Sequence, residues 1–168
     1  LFPRVDRFHA VSRAIASEAG KYDAVEQKTN MVYSAVNLES LQLYKKTNWK
    51  VHKPFHFISV GRHHWTKGYH YALAAIKTLQ ENNFHIHYSI IAQDQPSEEI
   101  LYQIDDLSLQ RHVTLTCLDT QEDVYRKMSS TDCLLLPSIE EGIANVVLEA
   151  MAIGLPVISS ECGGMREI

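Results

Sequence analysis

The sequence predicts an α/β domain, a parallel sheet with helices on both faces, and three observations predict it. From Phe57 onward, short apolar runs alternate with segments of helical period. The connections between them are only a few residues long. One run, Asp132 to Ser138 (DCLLLPS), is continuously apolar, as expected of a strand buried on both faces.

HFISVGR is the first strand of this series, centred on Phe57 to Val60 and running into a turn at Gly61. Tyr71, Ala72, Ala75, Ile76 and Leu79 then fall on one helical face. His85 to Ala92 is the second strand, and Ile100, Leu101, Ile104 and Leu107 follow Pro96 at helical spacing. Val113 to Leu118 is the third, and Val124 with Met128 marks a short helix. After the strand at Asp132 to Ser138, a helix from about Ile143 to Ile153 stops at Gly154, and Pro156 to Ser159 opens a fifth strand. In such sheets ligands collect beyond the carboxyl ends of the strands.

The first residues repeat the pattern on a smaller scale: RFHAVS as strand, Ala14 to Ala19 as helix, and Met31 to Val36 (MVYSAV) as strand. Residues 1–45 read as the tail of a preceding domain and residues 46–168 as a second domain. The polar stretch Lys45 to Pro54, with Lys45, Lys46, Lys50 and Lys53, reads as a solvated linker. The chain opens on Leu with no signal-like segment, and is expected to be a piece of something longer.

With 168 residues the chain has room for one sizeable core but not two complete domains of typical size. Sixteen Lys and Arg against 20 Asp and Glu give a net charge of −4, which argues against a general nucleic-acid binder. Cys117, Cys133 and Cys162 are far apart and form no C-x-x-C pair, so a disulfide framework is not expected and a reducing compartment is. The longest apolar stretch, Ile143 to Ile158, is broken by Asn145, Glu149, Gly154 and Pro156 and does not qualify as a membrane span.

Three strand ends carry chemistry. In VGRHHWTKG, Arg62 and Lys67 lie on one turn between Gly61 and the next helix, a setting suited to a phosphate or diphosphate; the alternative is a pair of solvated surface cations. In PSIEEGIANVVLEAMAIGLPV, Glu141 stands at a strand-to-helix turn and Glu149 eight positions on, and each carboxylate has the acceptors to hold a sugar or ribose diol. Gly142 to Asn145 offer free N–H groups between them. Alternatively Glu141 complements the helix dipole and Glu149 faces water, although a carboxylate in so apolar a helix calls for a specific partner. Gly163 and Gly164 let backbone approach a ligand closely, or form only a turn.

Together, VGRHHWTKG, the strand before Gln93, and STDCLLLPSIEEGIANVVLEAMAIGLPVISSECGGMREI resemble the C-terminal, donor-binding half of the retaining glycosyltransferases of group 1 (family 4), with the Rossmann-like GT-B fold. DRFHAVS and MVYSAVNLE resemble the closing elements of such an enzyme's N-terminal, acceptor-binding domain. Glu141 and Glu149 meet the family's signature of two glutamates separated by seven residues. The resemblance implies transfer of a sugar from a nucleotide-sugar donor to a glycan or lipid-linked acceptor with retention at the anomeric carbon. It implies that Arg62 and Lys67 bind the donor diphosphate and that Glu141 contacts the transferred sugar. The backbone of Ile143, Ala144, Asn145 and Val146 would lie near sugar and phosphates, Glu149 would hold the ribose, and Cys117 and Leu118 would flank the base. Gly61, Gly142 and the pair Gly163 and Gly164 complete the implied donor site.

No D-x-D signature occurs, so no metal and no other cofactor is expected, the leaving-group charge being met by Arg62, Lys67 and helix dipoles. The chain departs from the family where Gln93 and Gln95 replace two glycines and where Cys117 stands in place of another. A cytoplasmic location is expected, at the inner membrane surface if the missing N-terminal domain supplies peripheral attachment. A fragment of this length is expected to transfer nothing alone. His63, His64 and His70, and His85 with His87, lack the Cys or carboxylate spacing of a usual metal site. Ser12 and Ser138 have no visible base, so a hydrolase has no support. Trp49 and Trp65 are expected to cover loop surface. The alternatives left open are an epimerase or phosphorylase of the same fold and a non-catalytic nucleotide-sugar-binding scaffold.

Overall fold

The structure, a computed structural model, describes residues 4–22, 28–118 and 120–168; residues 1–3 and 23–27, within the stretch expected to belong to a preceding domain, lie outside it. Its centre is a five-stranded, wholly parallel sheet formed by β3 (Phe55–Val60), β4 (Ile86–Ala92), β5 (Val113–Cys117), β6 (Cys133–Leu136) and β7 (Val157–Ser159), in the order β5-β4-β3-β6-β7. The chain lays strands outward from β3 through β4 to β5, then returns to place β6 on the other side of β3. That reversal makes the carboxyl ends of β3 and β6 the switch point, where ligands collect in such sheets.

Strand alternation sends successive side chains to two helical layers. Tyr88 and Ile90 pack with α3 (Tyr69–Glu81) and α4 (Glu98–Asp106), through Leu73, Ile76 and Ile104. Ile58, Ile91 and Leu134 pack with α5 (Gln121–Ser129) and α6 (Asn145–Ile153), through Met128, Val147 and Ile153. Each fully buried apolar side chain of this kind contributes about 1.5–3 kcal/mol of burial, so these two seams carry the fold.

Several boundaries differ from the sequence expectation, for identifiable reasons. The face of α3 turned to the core is Tyr69, Ala72, Leu73 and Ile76, whereas Tyr71 and Ala75 are exposed, because the helix starts at Tyr69 and its apolar stripe begins there. On α4, Ile100 and Ile104 are buried but Leu101 is exposed. The helix expected from Ile143 begins at Asn145, after an extended Ala144.

The amino-terminal part forms its own two-stranded parallel pair, β1 (Phe8–Ala10) with β2 (Thr29–Met31), bridged by α1 (Arg13–Ala19). Ser12 caps α1 by accepting from the Ile15 N–H at 3.2 Å. The strand expected over Met31 to Val36 ends at Met31: β1 has only three residues to offer, so Val32 to Val36 find no ladder. The Glu167 carboxylate accepts from the Arg13 and Ala14 N–H groups, at 3.1 and 3.3 Å, and from the Tyr33 hydroxyl, docking α1 on the turn at Gly163–Glu167.

Next, α2 (Leu38–Gln42) inserts Leu41 into the α5–α6 core. The solvated reading of the lysines fails at Lys46, which is buried: its ammonium donates to the Thr131 carbonyl and its N–H to Ile153 O at 2.8 Å. The rest of Lys45 to Pro54 forms no helix or strand, and Trp49 lies exposed beside Gly154.

Beneath the sheet, at the amino ends of the strands, His52 stacks on His56 with ring centroids 5.3 Å apart, and His56 meets His87 at 5.6 Å. The buried Asp132 carboxylate accepts from the His56 N–H and His52 Nδ1, both at 2.8 Å. Burial first, and then the neighbouring His52, hold His56 below its ordinary pKa against the opposing pull of Asp132, with Lys127 adding to the depression. Burial does the same to His87, reinforced by His56, Lys127 and His112. Because both folded-state values lie below the unfolded ones, the unfolded chain binds more protons as pH falls below about 6.5. Their stabilisation is therefore complete above that pH and lost as pH drops through the folded values. Thermal melts should show a lower Tm at pH 5 than at pH 7.5, with a smaller drop in His56→Gln; an identical drop in the variant would remove the histidine stack as its cause.

Candidate active site

Two loops build the crevice at the switch point. After β3, Gly61 leads through a short 3-10 turn at Trp65–Lys67 to Gly68, whose left-handed φ of 63° turns the chain into α3. A side chain at Gly68 would overlap the Pro137 carbonyl after β6, so the two loops touch backbone to backbone. They are joined again where the Ile139 N–H donates to Thr66 O at 2.7 Å. Tyr69, buried at the start of α3, donates its hydroxyl to Gly61 O at 2.8 Å and pins the glycine turn. Burial drives its phenol pKa far upward, so it remains a donor.

These constraints bring Lys67 and Glu141 together from positions 74 residues apart, with the ammonium 2.5 Å from Glu141 Oε1. Ser138, buried, donates to the same oxygen at 2.8 Å. Arg62, Lys67, Glu141, Gly142 and Gly163 line one hollow of about 610 Å³, together with Thr66, Glu140 and residues of α1. That volume lies within the usual range of small-ligand sites.

Arg62 also borders a second, smaller hollow of about 190 Å³, formed by Gly61, Gln93, Leu118 and Gln121. Glu149 lines neither hollow, but Gln121 links it to the second: Gln121 Nε2 donates to Glu149 Oε1 at 3.1 Å, and the Tyr125 hydroxyl donates to the same atom at 2.9 Å. Glu149 thus has the specific partners that its apolar helix calls for. Burial raises its carboxyl pKa, and the two donors pull it partly back.

Cys117 is exposed at the end of β5, with its thiol directed to Gln93 O at 3.2 Å. Ile143 and Ala144 are buried, and the Ala144 N–H is directed at Met165 Sδ at 3.5 Å, whereas Asn145 is exposed and Val146 packs partly on the core. The helices α1, α2, α4 and α5 are capped by Ser12, Asn37, Ser97 and Thr120, whereas α3 and α6, which start at the crevice, have no side-chain cap. At these two helices the Tyr71 and Val147 N–H groups turn back to Gly68 O and Ala144 O, both at 2.9 Å, and the N–H groups before them have no side-chain cap.

The glycine pair has a packing duty. Gly163 has φ 51°, and a Cβ there would overlap the Glu141 carbonyl; a Cβ on Gly164 would overlap Gly142 O and the Ser12 side chain. Gly163 borders the larger hollow, while Gly164 is buried. Among the described residues, no group of three or more His, Cys, Asp or Glu is placed to hold a metal ion. No helix among them is long and apolar enough to cross a membrane. Sequence reasoning does not single out Ser138, Gln121 and Tyr125 as partners of the two glutamates; the i,i+4 spacing of Gln121 and Tyr125 on α5 is the available signal.

Residues 42–168 match the family of glycosyl transferases group 1. The chain belongs to that family. Among curated relatives, the amylovoran biosynthesis glycosyltransferase AmsK of Erwinia amylovora is 32% identical over 148 residues, 84% of this chain and 36% of AmsK. The putative colanic acid biosynthesis glycosyltransferase WcaL of Escherichia coli is 30% identical over 121 residues, 68% of this chain and 30% of WcaL. Among solved structures, Anabaena Alr3699/HepE in complex with UDP superposes with a TM-score of 0.78 at 21% identity, over 97% of this chain and 47% of that one. Sucrose-phosphate synthase of Thermosynechococcus elongatus gives 0.80 at 21% identity, over 98% of this chain and 43% of that one. These neighbours share the GT-B fold. This group 1 chain therefore spans less than half the length of these relatives.

Proposed function

We propose that this group 1 chain is the donor-binding part of a glycosyltransferase that moves a sugar from a nucleotide-sugar to a glycan or lipid-linked acceptor, with retention at the anomeric carbon. The observation that carries the reading is the convergence of Arg62, Lys67 and Glu141 on one hollow at the switch point of the sheet. The complex of HepE with UDP supports a nucleoside diphosphate as the leaving group, and the names of AmsK and WcaL support a role in polysaccharide assembly.

In this reading the bond between anomeric carbon and phosphate oxygen breaks and its electron pair leaves with the diphosphate, while an acceptor hydroxyl oxygen bonds to that carbon on the same face and its proton passes to the departing phosphate oxygen. Arg62, Lys67 and the uncapped N–H groups of α6 stabilise that growing charge, the task a divalent ion performs in sites with a D-x-D sequence. Glu141, held by Ser138, contacts sugar hydroxyls. The backbone at Gly61 and the N–H groups of Gly142 to Val146 border sugar and phosphates. Glu149 takes the ribose, and Cys117 and Leu118 border the base. Residues 1–45 close the acceptor-side domain, 46–168 form the donor side, and the enzyme works in the cytoplasm at the inner membrane surface.

The test is a thermal-shift screen of UDP-, GDP- and ADP-sugars on the whole protein that carries this chain. A preferred donor at a hundred times its Kd raises stability by about 2.7 kcal/mol by mass action. No shift with any of them at millimolar concentration ends the donor reading.

A further inference from the structure

We infer that Gln121 and Tyr125 are positioning residues that aim Glu149 at the ribose of the donor nucleotide. The inference rests on the donor reading above and names the side chains through which one part of it works.

Gln121 and Tyr125 lie one helical turn apart on α5 and face α6, and both donate to the same oxygen of Glu149, Oε1, at 3.1 and 2.9 Å. Among the described residues Oε2 accepts no hydrogen bond. A carboxylate oxygen accepts about two hydrogen bonds, so the pair saturates one oxygen, fixes rotation of the carboxylate, and leaves the other oxygen for ribose hydroxyls. Tyr125 is itself steadied by Tyr44, whose ring centroid is 5.4 Å away. Gln121 also borders the smaller hollow with Gly61, Arg62 and Leu118, so one side chain touches both the glutamate and the wall beside the diphosphate turn.

A merely structural role explains this arrangement poorly. Glu149 sits between Leu148 and Ala150 in a helix that is otherwise almost wholly apolar. Burial penalises its charged form, so at neutral pH an ionised carboxylate here works against the fold. Two donors trained on one atom make sense if the remaining oxygen has a ligand to meet.

Calorimetry on the whole protein separates these cases, using UDP, GDP and ADP and their 2′-deoxy counterparts. A hydrogen bond from a ribose hydroxyl to a carboxylate corresponds to about tenfold or more in affinity, so the wild type should prefer the ribo form by about that factor. Tyr125→Phe, which keeps the ring against Tyr44, and Gln121→Ala should each cut the preference to about threefold or less; Tyr125→Phe, outside both hollows, should leave affinity for the deoxy form unchanged. Glu149→Ala should abolish the preference, and adding Tyr125→Phe to it should change nothing more. Full preference retained in Tyr125→Phe and Gln121→Ala, with its loss in Glu149→Ala, overturns the positioning role and leaves the donor reading standing. Equal affinity of the wild type for ribo and deoxy forms removes the ribose contact itself.

Discussion

Lys67→Ala in the whole protein is expected to reduce kcat/KM for sugar transfer by about 10²–10³-fold, the usual scale for losing one preorganised group that stabilises transition-state charge. Arg62→Ala should do the same, because both cations border the hollow into which the leaving diphosphate would project. Neither change should unfold the protein. Arg62 is exposed, and Glu141 keeps its hydrogen bond from Ser138 when Lys67 is shortened. Steady-state kinetics with the preferred donor, alongside a melting curve for each variant, makes the check. Wild-type turnover in both variants would remove the diphosphate assignment, whereas a Tm lowered in step with activity would reassign Lys67 to packing.

Gly163→Ala and Gly164→Ala are expected to cripple the fold before they affect any ligand. At Gly163 the backbone is left-handed and an added methyl overlaps the Glu141 carbonyl; at Gly164 it overlaps Gly142 O and Ser12. Apart from the Ser12 side chain, the neighbours are backbone carbonyls on a loop tied down from both sides, so relief means moving the crevice wall. A loss of about 3 kcal/mol or more is expected, equivalent to a Tm about 10 °C lower in a chain of this size. If the glycines serve only to let a diphosphate approach, the variants will instead melt like the wild type and lose nucleotide binding alone.

The architecture is legible because buried parallel strands write themselves as apolar runs: the run at His85 to Ala92 contains β4 with little to spare, and the run at Asp132 to Ser138 contains β6, which takes only Cys133–Leu136 of it. What the pattern conceals is tertiary choice. Val32 to Val36 have strand-forming side chains, but a ladder needs a partner, and β1 supplies one only as far as Met31. Lys46 reads as solvent-facing because nothing in its neighbours announces a carbonyl 85 residues away. At the crevice, the charged residues are visible as types at strand ends, which is where the topology puts ligands. Their pairing is not, since Lys67 meets Glu141 only through the seam between two loops. The same limit hides Gln121 and Tyr125, whose target lies on another helix.

The contact between Lys67 and Glu141 has one more consequence. The crevice carries its own counterion: the Lys67 ammonium is paired from within by Glu141. In the donor reading proposed above, a diphosphate would have to draw the cation away from the acid, and the freed carboxylate would then be available for the hydroxyls of the sugar attached to that same diphosphate. On that reading, exchange of one internal partner for two parts of one ligand would favour the intact nucleotide-sugar over loose inorganic phosphate, which offers the acid nothing in return.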